Sequence, residues 1–170
     1  MHSYHYTVQV ILGANRYNEK DMKIISLNRR AKHDYTLGDR FLAGISLEGH
    51  EVKSIKAGQI TLKGSFVHLN NGEAFLTNAH IRQYAHAANI KDFDPVRPRK
   101  LLLKRKQLDE LTAAKQSQGM TIVPTAVGVE RGYIKVEIAI GQGKKHYDKR
   151  ATQREAAMIR DAQMETRRRI

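Results

Sequence analysis

The chain has no cysteine and no tryptophan, only three prolines, and aromatic residues make up just 6% of it. Without cysteine there is no disulfide, no thiol nucleophile and no Cys-ligated zinc site. So few rings argue against the aromatic-lined sheets on which single-stranded bases stack. Long apolar runs are missing as well, and none approaches the roughly 20 residues a membrane helix needs. Near the start only Val8 to Leu12 is apolar, with no basic stretch before it, so the pattern of a secretory signal is absent. These absences suggest a cytoplasmic protein with no membrane partner.

Charge of one sign is also in short supply. Seventeen Asp and Glu face thirty Lys and Arg, a formal net charge of +13 over 170 residues. An excess of that size calls for a polyanion, and nucleic acid is the first candidate. The hydrophobic share of 41% is enough to fill one core, and the length suits one compact domain with attached segments.

Three regions are expected. Residues 1–22 read as a leader extension without an amphipathic period, and Met22 is a second candidate start. Residues 23–141 carry the folded pattern, which is clear from Leu27 onward. Phe41 to Leu47 is a strand-length apolar run, and Glu51 to Lys56 is either one helical turn or a strand end. Asn70-Asn71-Gly72 is a hairpin signal, because Asn and Gly tolerate positive φ. Thr121 to Val129 and Tyr133 to Ile140 alternate about Glu130-Arg131-Gly132 as a second hairpin. About six short strands give a mainly β (α+β) fold, expected as a small barrel with flanking helices. One helix is expected between Lys104 and Gln118, with Leu108, Leu111 and Ala114 on one stripe and Gly119 as its cap. Asp94 to Lys100 reads as an extended basic linker, because a proline disfavours helix in the residue before it.

Residues 142–170 form a basic tail. Gly141-Gln142-Gly143 reads as a hinge into it, and nine cations stand against four acids from there to Ile170. Its apolar residues form no single stripe. The tail is therefore expected to be disordered alone and helical once RNA or a ribosomal groove neutralises it.

Signs of catalysis are weak. Gly141 to Lys145 follows the phosphate-loop pattern badly, and the eight histidines lack metal-ligand spacing. No Ser, His and Asp set has a nucleophile-elbow context. The expectation is a protein that is not an enzyme and holds no metal or cofactor. Binding signals are better. Arg29, Arg30 and Lys32 crowd beside Asn28 as a phosphate-contacting edge would, and Arg97, Arg99 and Lys100 sit on the Pro-containing linker.

Read in order, several segments resemble the SsrA-binding protein (SmpB) family. They are Asn28-Arg29-Arg30-Ala31 with His33-Asp34-Tyr35, then Phe41 to Ile45, and Gly49 to Ile55 with Ala57-Gly58. Gly72 to Leu76, Asp94 to Leu103, and Gly143 to Arg150 follow. The resemblance implies an OB-like barrel that holds the tRNA-like domain of transfer-messenger RNA (tmRNA) and delivers it to stalled ribosomes in trans-translation. The tail would lie in the empty mRNA channel by the small-subunit decoding centre. Alanyl-tRNA synthetase and elongation factor Tu would act on the same complex.

Carried over by position, Asn28, Arg30, Lys53, Arg97, Arg99, Lys100 and Leu102 are the expected RNA contacts of the body, while Glu51 is either a contact or structural. Lys144, Lys145, Tyr147, Asp148, Lys149 and Arg150 are those of the tail, with the Tyr147 ring free to stack on a decoding-centre base. Two departures stand out: Leu42 where the family often has Glu, and Lys104 where Asn or His is common. The alternative is a general ribosome-associated protein that binds structured RNA without this particular partner.

Overall fold

Short turns cut the chain into strands and helices whose order is visible in the computed structural model, which describes residues 22–85 and 93–144. The first half runs β1 (Lys23–Leu27), α1 (Arg29–Asp34), β2 (Tyr35–Ile45), α2 (Gly49–Lys56), β3 (Ile60–Thr61) and β4 (Phe66–Asn70). The second runs β5 (Glu73–Thr77), β6 (His80–Ile81), β7 (Arg99–Leu102), α3 (Arg105–Gln116), β8 (Met120–Glu130) and β9 (Tyr133–Gly143). Seven strands form one antiparallel sheet in the order β1-β8-β9-β2-β7-β5-β4, and β3 pairs with β6 apart from it.

Both expected hairpins form. Asn71 and Gly72 take φ of 48° and 73° between β4 and β5, and Arg131 and Gly132 take 49° and 85° between β8 and β9. Two successive positive φ values match the right-handed twist of the flanking strands. On the inner face Phe41, Ala43, Leu76, Leu101, Ile122, Val127, Val136 and Ile138 close over Ile55 of α2, Ile81 of β6 and Leu111 of α3. Each Val, Leu, Ile or Phe side chain taken from water is worth about 1.5–3 kcal/mol before entropy is counted.

Several expectations are corrected. The six-stranded barrel is instead, among the described residues, a seven-stranded sheet with a separate two-stranded ribbon, and no ladder there joins its edge strands β1 and β4. The sheet coils far enough for β4 to pack on β8. The strand β1 has no counterpart among the expected elements. Glu51 to Lys56 belongs to a full helix because Glu48 and Glu51 form a reciprocal capping box at its start. The helix α3 ends at Gln116 with Ser117 as its cap, and Gly119 (φ 81°) serves the turn into β8 instead. The linker is not extended throughout. Asp94 Oδ1 accepts from the Val96 N–H at 2.9 Å, making a turn, and β7 begins at Arg99. Gly141 to Gly143 is strand, paired with Leu37, Thr36 and Tyr35 of β2, so the expected hinge is absent there.

Candidate RNA interface

Pairing register decides which side chains share the outer face of the sheet. In β7, Arg99 and Leu101 are buried while Lys100 and Leu102 are exposed, so the latter two face outward. Leu102 pairs with Gly44 of β2, Gly44 pairs with Lys135 of β9, and Lys135 with Gly128 of β8. Cross-strand partners lie on one face, which makes Leu102, Gly44 and Lys135 one row. Leu102 is 55% exposed, unusual for a large aliphatic side chain. A Cβ at Gly44 would come within 3.2 Å of the Leu102 Cβ, so the missing side chain lets Leu102 lie flat across the strand.

The adjacent row carries charge. Leu42 pairs with Glu137, and Glu137 with Ala126. The Glu137 carboxylate is buried, accepts from the Thr125 hydroxyl, and has Arg40 Nη1 at 3.5 Å. At the β8 end, Asn28 donates its side-chain amide to the Pro124 carbonyl at 2.9 Å and its backbone N–H to the Thr125 carbonyl at 2.8 Å. Those bonds pin the start of α1 on β8. Ala31 is its buried contact, while Arg29, Arg30 and Lys32 remain at the surface. Lys100 also looks outward but pairs with Glu73.

Asn28 and Arg30 thus stand at the α1 end pinned on β8, and Lys100 and Leu102 face outward from β7. Lys53 is not among them. It lies on α2, with its Nζ 5.8 Å from the Tyr84 ring centroid, and α2 belongs to the inner side. Lys144 is half-buried, its ammonium donating to the Lys32 carbonyl at 3.0 Å. Lys145, Tyr147, Asp148, Lys149 and Arg150 lie outside the described residues.

One candidate is corrected outright. Arg99 is wholly buried and cannot reach RNA. Its Nε donates to Glu51 Oε1 at 2.8 Å, its Nη1 to the Ala79 and Arg97 carbonyls at 2.8 and 3.0 Å, and its Nη2 to the Pro95 carbonyl at 3.1 Å. Arg97 grips the same carboxylate from the other side, Nε to Oε1 at 3.0 Å and Nη2 to Oε2 at 2.5 Å. Glu51 is fully buried and also accepts from the Glu48 N–H at 2.9 Å. Burial raises the Glu51 carboxyl, but the bonds from Arg97, Glu48 and Arg99 outweigh it and hold the group below the ordinary carboxylate range. The Glu51 bond in turn raises the Arg97 guanidinium above its usual value. Charge clusters in a sequence read as solvated until their counterion is located, and here Glu51 is the signal.

Lys135, Gly44 and the Glu137–Thr125–Arg40 group are absent from the residues that sequence reasoning singled out. The alternation of Tyr133, Lys135 and Glu137 along β9 is the visible clue to them. Among the described residues no three His, Asp or Glu gather as metal ligands.

Comparison with known proteins shows the family. The family model described as "SmpB protein" matches residues 25–168. The SsrA-binding protein of Caldicellulosiruptor bescii is 43% identical over 157 residues, covering 92% of this chain and 96% of its own. That of Shouchella clausii is 47% identical over 148 residues, covering 87% and 92%. A solved chain reported under the words "tmRNA-SmpB: a journey to the center of the bacterial ribosome" is 39% identical, with a TM-score of 0.60 over 74% of this chain and 86% of that one. The chain belongs to the SmpB, or SsrA-binding protein, family.

Proposed function

We propose that this protein binds the tRNA-like domain of tmRNA and brings it to stalled ribosomes for trans-translation. The observation that carries this reading is the family match across residues 25–168, which spans the sheet and the basic segment after it. The outer face supports it physically. A flat apolar patch at Leu102 and Gly44, with Lys135 beside it and the α1 cations at its end, suits the backbone and shape of folded RNA. Asn28, Arg30, Lys100, Leu102 and Lys135 are its contacts, with Asn28 acting mainly by seating α1. In this reading the coiled sheet works as a half-open OB-like barrel. The protein is a cytoplasmic binding factor without a reaction of its own, and residues 142–170 act on the ribosome.

Recovering the tagged protein from its own cells and sequencing the bound RNA tests the reading. The expected result is strong enrichment of one RNA that combines a tRNA-like end with a short reading frame. Ribosomal RNA recovered only in proportion to its abundance would favour general ribosome association instead.

A further inference from the structure

Arg99 has every mark of a phosphate contact in the sequence and none in the fold, which raises the question of what a wholly buried arginine does in a four-residue strand. β7 is the narrowest part of the main sheet. Among the described residues it alone joins the β2 side to the β5–β4 hairpin, and its pairing with β2 rests on Gly44–Leu102 and Ile45–Leu101. Leu102, the most exposed apolar side chain in the row that includes Gly44, sits at the strand's end and is held by few ladder bonds of its own. Arg99 projects from the opposite face of the same strand. It ties β7 to the start of α2 through Glu51, to the chain before β6 through Ala79, and to the 94–97 turn through Pro95 and Arg97. Arg97 holds the second Glu51 oxygen and so fixes the carboxylate that Arg99 needs.

We propose that Arg99, acting through Glu51, is a positioning residue for Leu102. Its clamp on the inner side of β7 sets the strand's height and tilt, and so places the Leu102 side chain over Gly44 on the outer side. The clamp works because guanidinium donors lie in a rigid plane, and several hydrogen bonds from one head group fix an orientation that a lysine ammonium cannot reproduce. This inference rests on the reading of the outer face as the surface for the tRNA-like domain.

A double-mutant cycle on the full-length protein tests it, with a synthetic tRNA-like domain of tmRNA as the probe. Leu102→Ala should weaken binding roughly ten-fold in the wild-type background, as expected for loss of a buried aliphatic contact. Arg99→Lys should also weaken binding while leaving the salt dependence unchanged, because no phosphate contact is lost. In the Arg99→Lys background, Leu102→Ala should then cost no more than about two-fold, since interacting sites are non-additive. Arg30→Ala on α1, remote from β7, should keep its full cost in both backgrounds.

Four results would overturn the proposal. Additive costs for Arg99→Lys and Leu102→Ala would mean that Arg99 does not act through Leu102. A log–log salt slope shallower by about 0.7–0.9 would mean that Arg99 meets a phosphate after all. A cost of Arg30→Ala that also vanishes would mean general loosening. A neutral Leu102→Ala in the wild type would bring down the reading of the face itself, and this proposal with it. If Arg99→Lys fails to fold, Arg97→Lys carries the same cycle, because Arg97 is partly exposed and its replacement loosens the Glu51 carboxylate while leaving Arg99 in place.

Discussion

Glu51 keeps a full negative charge where solvent does not reach, between two guanidinium groups and the first turn of α2. Removing one partner from a buried ion pair costs about 3–5 kcal/mol, because the other charge is left stranded. Replacing both ions by neutral groups is far milder. Its depressed carboxyl makes the cluster pH-sensitive in one direction. In the unfolded chain a Glu takes up a proton near about pH 4.3, whereas in the fold it does so only at lower pH. The stability Glu51 contributes is therefore complete above that range and is lost as pH falls through the folded value. Urea titrations between neutral and acid pH should show this loss in the wild type. Glu51→Gln combined with Arg99→Met should flatten the acid limb. An identical acid limb in both proteins would show that other carboxylates set it.

Elements defined by local signals are legible in the residues alone. The Asn71-Gly72 and Arg131-Gly132 turns need only positive φ, which the residue types themselves announce. The stripe of Leu108 and Leu111 locates α3. Elements that depend on distant partners are not legible in this way. The strand β1 reads as Lys-Ile-Ile-Ser-Leu with no alternation, and becomes a strand because it pairs with β8. Arg99 looks solvated in the sequence because its counterion lies 48 residues away. The β1–β8 contact offers a direct check. Gly128 sits under the strand so closely that a Cβ there would meet the Lys23 carbonyl oxygen at 2.5 Å and the Met22 Cγ at 2.7 Å. Backbone cannot yield as a side-chain tip can, so Gly128→Ala should push β1 away at a cost of about 1–3 kcal/mol. Chemical unfolding would read the cost, and faster amide exchange at Lys23 to Leu27 would locate it. Wild-type stability would mean that β1 adds little to the sheet.

At the scale of the whole molecule, charge and shape are divided. The outer sheet face offers a modest apolar patch with cations at its rim, while a further basic segment runs in the sequence from Lys144 through Arg150. Holding an RNA by shape and engaging a ribosome by charge are separable tasks, and we expect them to separate here. Removing everything after Lys144 should leave affinity for free tmRNA largely intact while abolishing peptide tagging on stalled ribosomes. Tyr147 tests how the tail works. A ring stacked on a base is worth about 1–3 kcal/mol by alanine substitution. On that basis Tyr147→Ala should slow peptidyl transfer on ribosomes stalled without a downstream message by about ten-fold or more. Tyr147→His, which keeps a flat ring, should act nearly as wild type, and binding of free tmRNA should change little in either variant. The rival mechanism is purely electrostatic, with Lys144, Lys145, Lys149 and Arg150 anchoring the tail by phosphate neutralisation alone. Under that mechanism Tyr147→Ala would transfer at the wild-type rate, and the whole effect of the tail would follow added salt.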